Sequence, residues 1–276
     1  MFKQLKNKLK SIKIIYIVWN YMKKKKNTFF GLRIDEQDFI NYQSNNLIML
    51  GNKNASWCIK KLSIKDDGLI FSLGIGEDMS FDIELAKKYN KKIIMIDPTP
   101  RAILHYNLVM KWFDKEKILT KKFPYNLKGL NRNNFEIVKK AIWNKKKIVK
   151  FFLPKNNKNV SHSIINFQNN YSKDTDFIEV DAIRMSDLVN LYKNESKNIS
   201  LIKMDIEGAE IEVLKDMLSS NIFPKQIAVE FDELNIPTKY GIKRVKDSID
   251  NLKKYNYRLA WASGSSDFLF IRDSEN

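Results

Sequence analysis

Short apolar runs recur along the chain from residue 68 onward, and helix-forming stretches lie between several of them. An apolar run of four to six residues bounded by Gly, Pro or Asn is typical of a strand that is buried on both faces. Strands that alternate with helices predict an α/β fold, in which helices cover both faces of a mostly parallel sheet. The expected strands are residues 69–73, 93–96, 135–138, 148–153, 201–204, 227–231 and 268–271, and the expected helices include 209–218 and 242–255.

The first 27 residues follow another pattern. Their apolar side chains recur at spacings of three and four residues, which places them on one face of a helix, and lysines lie largely on the other face. A basic amphipathic helix suits an anionic membrane interface, although a helix that docks on its own domain has the same pattern. The apolar face consists of Phe2, Leu5, Leu9, Ile12, Tyr16 and Trp19.

These patterns divide the chain into three parts. Residues 1–27 are a basic amphipathic segment, residues 28–66 are expected to form a helical covering extension, and residues 67–276 form the main domain. The total length of 276 residues suits one α/β domain with such an extension.

Composition excludes several classes of protein. The chain is 43% hydrophobic, which is enough for a core and excludes global disorder. The longest strictly apolar run, residues 14–19, is far shorter than the ~20 residues that span a membrane. One cysteine, Cys58, cannot form an internal disulfide framework, and with two histidines it leaves little for a metal. We therefore expect no metal and a cytoplasmic location, with peripheral membrane attachment through residues 1–27 as a further hypothesis.

The net charge of +17 is concentrated at the N-terminus. Residues 1–34 contain nine Lys, Arg33 and no acidic residue, so they carry +10 of that charge. The chain has 42 Lys but 7 Arg, and Arg is the residue that binds phosphate and guanine in bidentate fashion. The basic charge is therefore weak evidence for a nucleic-acid partner.

A glycine turn follows the first strand of the main domain, in residues 72–78 (SLGIGED). Gly74 and Gly76 allow a tight turn and a close approach of the backbone to a ligand, and the N–H groups of the next helix face that ligand. A dinucleotide motif has a third glycine where this chain has Met79. The candidate cofactor contacts are Ser72, Gly74, Ile75, Gly76 and Asp78, although a plain tight turn has the same pattern.

Asp97 ends the next strand and is followed by Pro98. A carboxylate at this position is suited to accept both hydroxyls of a ribose, and Asp-Pro also suits the start of a helix. Because the third glycine and a Gly-Lys-Ser motif are both missing, a nucleoside without phosphates fits better than a nucleotide. S-adenosylmethionine is such a nucleoside, and Asp97 and Pro98 are its candidate ribose contacts.

Acidic residues cluster after a later strand, in residues 201–210 (LIKMDIEGAE). Asp205 and Glu207 follow the strand directly, and Glu210 lies in the first turn of the following helix, where the helix dipole favours a carboxylate. Two or three acids at one strand end are more than helix capping requires. We therefore expect at least one of them to have a function.

Together these segments resemble the FkbM-type branch of the S-adenosylmethionine-dependent methyltransferases. The likeness covers residues 68–272, and its most diagnostic part is MDIEGAE at 204–210. The first motif of the family often has an acid where this chain has Ser72, and Ala-Asn where it has Ile75-Gly76. Other matching segments are IDPTP at 96–100, AIWN at 141–144, SHS at 161–163, VEF at 229–231 and DFLF at 267–270.

The resemblance implies a Rossmann-like methyltransferase fold with seven strands, six parallel and one antiparallel. It implies methyl transfer from S-adenosylmethionine to a hydroxyl, commonly of a sugar, so the expected partner is a small-molecule or glycan hydroxyl substrate. By position, Gly74 and Gly76 would border the methionine portion, Asp97 the ribose, Ala141 and Ile142 the adenine, and Asp205 and Glu207 the transferring methyl.

A hydroxyl acceptor gains from a general base within hydrogen-bond reach. The candidates are Glu207, His162 and Asp205, of which His162 has the convenient unperturbed pKa of ~6.5. The two carboxylates have an alternative role, which is to orient the cofactor amine and balance its sulfonium charge. Lys203 is expected to pair with an acid, and Glu230 is a further acid near the pocket.

Three other functions fit parts of the pattern. A nucleic-acid methyltransferase suits the charge, but two acids at the strand end would repel phosphate. A nicotinamide-dependent oxidoreductase shares the crevice, but Met79 argues against it. A catalytically inactive membrane-surface protein on the same fold is the non-enzymatic alternative.

Overall fold

The computed structural model describes residues 46–53, 55–63, 65–113, 125–154, 161–169 and 171–273. The predicted amphipathic helix at residues 1–27 and the first part of the extension lie outside the described residues. None of the helices within the described ranges is long and apolar enough to cross a membrane.

Twelve strands and five α-helices are present in the part of the chain that the structure describes. The strands are β1 (Leu47–Leu50), β2 (Trp57–Lys60), β3 (Leu69–Leu73), β4 (Ile93–Ile96), β5 (Phe135–Val138), β6 (Ala141–Ile142), β7 (Lys147–Phe152), β8 (Phe177–Ile183), β9 (Ile199–Met204), β10 (Gln226–Glu230), β11 (Tyr257–Ala262) and β12 (Asp267–Arg272). The helices are α1 (Ser80–Tyr89), α2 (Pro100–Phe113), α3 (Met185–Leu191), α4 (Glu210–Ser219) and α5 (Lys239–Lys254).

The central sheet has seven strands in the order β11-β12-β10-β9-β3-β4-β5. Five neighbouring strands, from β10 to β5, are paired in parallel. Strand β12 is antiparallel to both of its neighbours, so six strands point one way and one points the other. This confirms the predicted α/β, Rossmann-like architecture.

Two apolar layers cover the sheet because its inner strands are hydrophobic on both faces. Every residue of β3, β4 and β9 is buried. Helices α3, α4 and α5 pack on one face, around residues such as Ile202 and Val229. Helices α1 and α2 pack on the other, around residues such as Leu201 and Ala228. The carboxyl ends of β3, β4, β9 and β10 therefore meet at one edge of a rigid layer.

One predicted strand lies outside the central sheet. The run at 148–153 corresponds to β7, which pairs with β8 in a separate three-stranded sheet, β6-β8-β7. The seventh central strand is β11, which the apolar pattern missed. Its burial is broken by exposed Arg258 and by half-buried Trp261 and Ala262, because this strand lies at the sheet edge.

The covering segment before the main domain is a hairpin over residues 47–60. Strands β1 and β2 pair antiparallel from Leu47–Lys60 to Leu50–Trp57. The helical prediction for this part of 28–66 is therefore wrong. Tertiary contact explains the difference: Ile59 is fully buried in the α1 layer, and the Lys60 N–H donates to Gln226 Oε1 on β10 at 2.8 Å.

Candidate functional site

The glycine turn after β3 packs directly against the loop after β9. Gly74 has a φ of +74°, and a Cβ at this position would collide with the carbonyl oxygen of Asp205. The Asp205 N–H donates to the Leu73 carbonyl at 3.0 Å. Glycine is therefore required at position 74 both by the backbone angle and by this contact.

Asp97, at the end of β4, organises the same turn through its carboxylate. Oδ2 accepts from the N–H groups of Ile75 and Gly76, at 3.0 and 3.1 Å, and Oδ1 accepts from the Thr99 N–H at 2.8 Å. A carboxylate has about four acceptor sites, so one remains on Oδ1. The geometry thus leaves room for one ribose hydroxyl, whereas accepting both would break a bond of the turn. Helix α2 begins at Pro100, two residues after Pro98.

A cavity of about 680 Å³ lies at the carboxyl edge of the sheet. It is within the size range of ligand sites in proteins. Of the residues predicted from sequence, Ser72 is buried beneath the cavity wall and does not line it. All the others line it: Gly74, Ile75, Gly76, Asp78, Asp97, Pro98, Ala141, Ile142, His162, Asp205 and Glu207.

Ala141 and Ile142 reach the cavity from a strand of their own. They form β6, which pairs in parallel with β8 and belongs to the three-stranded sheet. Both are buried, and they supply an apolar part of the cavity wall. An apolar wall of this kind suits the flat face of an adenine.

The carboxyl group of Glu207 has a strongly raised pKa. Burial is the largest cause of a rise in its pKa to about 8; the nearby carboxylates of Asp232 and Asp205 add to this rise, and a hydrogen bond from Ser161 opposes it. Its backbone is in the left-handed region, with a φ of +59°, and its carbonyl accepts from the Ser163 hydroxyl. The segment 161–163 therefore contacts Glu207 at two places, the side-chain carboxyl group and the backbone carbonyl.

His162 is brought to the same place by that segment. Its ring stacks on Phe151 of β7, with the ring centroids 5.8 Å apart and the planes at 23°. Both side chains line the cavity. The stacking fixes the imidazole as part of the wall.

The far wall of the cavity is also acidic. Glu230 ends β10, and its Oε1 accepts from Asn235 Nδ2 at 2.8 Å and from Ser266 Oγ at 3.0 Å. Burial and then Asp205 raise the pKa of Glu230. Asp267 faces Glu230 across the β10–β12 pair, and burial also raises its pKa. These carboxylates share too few donors to be fully stabilised as anions.

Lys203 is the buried cation of the site. Its Nζ lies 3.6 Å from Asp205 Oδ2 and donates to the Gly74 carbonyl oxygen. The Trp57 ring covers the ammonium, with its centroid 5.0 Å from Nζ. The structure therefore confirms that Lys203 pairs with an acid.

The cavity is strongly acidic although the chain is basic. Among the described residues, eight carboxylates and three lysines line it. The ionised members of this wall attract a cationic ligand and repel phosphate, whereas the raised pKa keeps Glu207 mostly protonated near neutral pH. The carboxylates are Glu77, Asp78, Asp82, Asp97, Asp205, Glu207, Glu230 and Asp267, and the lysines are Lys53, Lys140 and Lys203.

Comparison with known proteins agrees with this geometry. Residues 71–259 match the family model described as the methyltransferase FkbM domain. The chain belongs to the FkbM methyltransferase family.

Similar solved structures are distant in sequence. Fibrillarin from Methanococcus jannaschii, a pre-rRNA processing protein, is 13% identical with a TM-score of 0.39, over 78% of this chain and 71% of that chain. Human methyltransferase 10 domain containing protein is 8% identical with a TM-score of 0.39, over 79% and 77%. TYW2 from M. jannaschii in complex with AdoMet is 12% identical with a TM-score of 0.31, over 85% and 90%. No curated protein matches this chain in sequence.

Part of the cavity lies outside the matched FkbM segment. The β1–β2 hairpin precedes it and contributes Trp57 and its neighbours, and the turn before β12 follows it. Sequence reasoning gave no role to these residues or to Asp82, because their approach to the cavity depends on tertiary packing; Asp267 opens the DFLF segment that resembles the family, but that segment indicated a strand and not a site. The residues from outside the match are Lys53, Ala55, Ser56, Trp57, Ser265, Ser266 and Asp267.

Proposed function

We propose that this FkbM-family methyltransferase uses S-adenosylmethionine and methylates a hydroxyl, with a carbohydrate or glycan precursor as the acceptor. The observation that carries the proposal is the acidic cavity beside the glycine turn. S-adenosylmethionine carries two positive groups, a sulfonium and an ammonium, and one carboxylate. Its net charge is therefore positive, opposite in sign to the acidic wall. A phosphate-bearing cofactor or a nucleic-acid backbone would be repelled by the same carboxylates.

The residues present fit this cofactor. The turn at Gly74–Gly76 brings backbone close to a ligand, Asp97 retains one acceptor site for a ribose hydroxyl, and Ala141 and Ile142 form an apolar wall for adenine. When bound, S-adenosylmethionine supplies an electrophilic methyl group on sulfur.

Glu207 is the general base in this proposal, supported by its place in the cavity wall and its raised pKa. With the cofactor bound, Glu207 would accept the proton of the acceptor hydroxyl, and the sulfonium would supply the methyl group and leave as the thioether S-adenosylhomocysteine. A carboxyl with a pKa of about 8 is closer to the working pH than an ordinary glutamate, which makes it a stronger base once ionised. Asp205 and Glu230 contribute negative charge beside it, and His162 forms part of the wall.

The acceptor side of the cavity supports a polyhydroxylated substrate. Glu230, Ser266 and Asp267 offer hydrogen-bond acceptors and a hydroxyl, and Trp57 and Phe151 add aromatic surface. Neighbouring hydroxyls of a sugar need acceptors of this kind, and the apolar face of the ring packs on aromatic side chains.

Two measurements test the proposal. Calorimetry should show binding of S-adenosylmethionine and S-adenosylhomocysteine but not of NAD. An extract divided into glycan, lipid and RNA pools should accept labelled methyl groups in the glycan pool, and the Glu207→Gln variant should transfer ~10²–10⁴-fold less. Absence of binding would overturn the cofactor, and label confined to RNA would overturn the acceptor class.

The N-terminal segment carries a separate proposal. Residues 1–27 are proposed to attach the enzyme to anionic membranes, supported by their amphipathic pattern and charge. Full-length protein should sediment with anionic vesicles in low salt, and a variant that starts at residue 28 should not. Equal sedimentation of the two proteins would overturn this proposal.

A further inference from the structure

A buried carboxylate lies under the glycine turn at a position that no motif specifies. Asp82 is in the first turn of α1, 2% of it is exposed, and it lines the cavity. Its Oδ1 has no hydrogen-bond partner among the described residues. The hydrogen bonds that lower the pKa of this carboxylate come from neutral donors, the Ser72 hydroxyl and the Asp82 N–H. Neutral donors alone stabilise a buried carboxylate incompletely, so a ligand with a charged donor would complete its surroundings.

Ser72 links Asp82 to the glycine motif. It occupies the first position of the glycine motif, where the FkbM family often has an acid. Ser72 is 1% exposed, and its hydroxyl lies beside the Asp82 carboxylate. The negative charge next to the turn is therefore present in this chain, but it comes from helix α1 instead of strand β3.

The ammonium of the neighbouring Lys203 contacts groups other than the Asp82 carboxylate. Lys203 directs its ammonium to Asp205 Oδ2 and to the Gly74 carbonyl oxygen. Its charge favours the ionised form of Asp82, although burial is the larger effect and raises the pKa of Asp82 to about 6. Asp82 is thus placed to accept hydrogen bonds from a charged donor in the cavity.

We propose that Asp82 anchors the α-amino group of the methyl donor's methionine portion, in place of the acid missing at Ser72. This rests on the proposed function. An ammonium has three N–H donors, whereas the sulfonium has none. The other two parts of the cofactor have separate places, with ribose at Asp97 and adenine at Ala141 and Ile142.

Two ligands separate this role from a structural one. S-adenosylhomocysteine has the amino-acid portion, and 5′-methylthioadenosine has the same nucleoside and thioether without it. Asp82→Asn keeps the side-chain shape but loses the charge. It should weaken S-adenosylhomocysteine ~10–100-fold, the factor expected for a charged hydrogen bond, and change methylthioadenosine by less than about threefold, because that ligand lacks the group that Asp82 binds.

Asp97→Asn is the matched control, since the same substitution at the ribose end should weaken both ligands. The exchange variant S72D/D82S provides a second test that does not depend on the folding of Asp82→Asn. It should bind S-adenosylhomocysteine more tightly than the single variant Asp82→Ser, because the charge returns at the family position.

The outcomes are distinct. Equal weakening of both ligands by Asp82→Asn, or no effect on either, would overturn the role of Asp82, as would failure of S72D to recover affinity in the exchange variant. If the unaltered protein binds neither ligand, the proposed function itself fails. Selective loss of S-adenosylhomocysteine, with recovery in the exchange variant, supports the inference.

Discussion

The two sides of the cavity are built differently. The side proposed to hold the methyl donor, here called the donor side, comprises residues 72–99, a continuous stretch in which the carboxylate of Asp97 accepts from three backbone N–H groups. The acid side draws Glu207, Glu230 and Asp267 from three separate loops and strands, and burial raises the pKa of each. The first side is therefore suited to hold a ligand in one place. The second side holds carboxyl groups whose pKa values lie above their ordinary range, which suits groups that accept or release a proton.

The largest effect should come from the contact that joins the two sides. Gly74→Ala should lower the free energy of unfolding by ~2–4 kcal/mol, because it adds both left-handed strain and a collision with the Asp205 carbonyl. Chemical denaturation measures the change. Gly129→Ala is the control, since Gly129 also has a positive φ, +86°, but nothing within 4 Å of the added Cβ. Equal losses in the two variants would show that the collision contributes nothing.

The second largest effect should be a pH-dependent change in the free energy of unfolding, caused by Glu207 on the acid side. The pKa of Glu207 in the folded chain, about 8, is above its ordinary value of 4.5. Between these values the folded chain holds a proton that the unfolded chain has released, so stability falls as the pH rises through this window. Gln stays neutral. Glu207→Gln should therefore raise the unfolding free energy by ~1–2 kcal/mol at pH 8.5, after allowance for solvent in the cavity.

At pH 5 the same variant should differ little from the unaltered protein, because Glu207 is then protonated in the folded state. Thermal melts at both pH values test this, with exposed Glu179→Gln as a control. A gain that is the same at pH 5 and pH 8.5 would contradict the raised pKa and attribute the effect to packing.

The smallest effect should come from the far wall. Ser266→Ala removes one of the two donors to Glu230 Oε1 and should cost ~0.5–1.5 kcal/mol of stability. Affinity for S-adenosylhomocysteine should change by less than about twofold, because the proposal places the acceptor, and not the cofactor, against this wall. Ser265→Ala, in the same turn, is the control. A tenfold loss of affinity in Ser266→Ala would assign Ser266 to the donor side and remove the division between the two sides.

Much of the fold was predictable because its strands and helices depend on local pattern. The runs at 69–73, 93–96 and 201–204 are buried on both faces, and this is visible in the sequence. Strands β1 and β11 were not predictable in this way, since their burial is uneven. Strand β2 is buried at three of its four residues, but its short run indicates a strand only through what packs on it. For the same reason the run at 148–153 was assigned to the wrong sheet.

Local sequence specified the inner strands β3, β4 and β9, the glycine turn and the strand-end acids, because each depends on residues close together in the chain. The tertiary structure alone decided that Asp82 stands beside Ser72, that Trp57 covers Lys203, and that the pKa of Glu207 rises. Burial and charge crowding arise only when distant segments meet, so no local pattern records them.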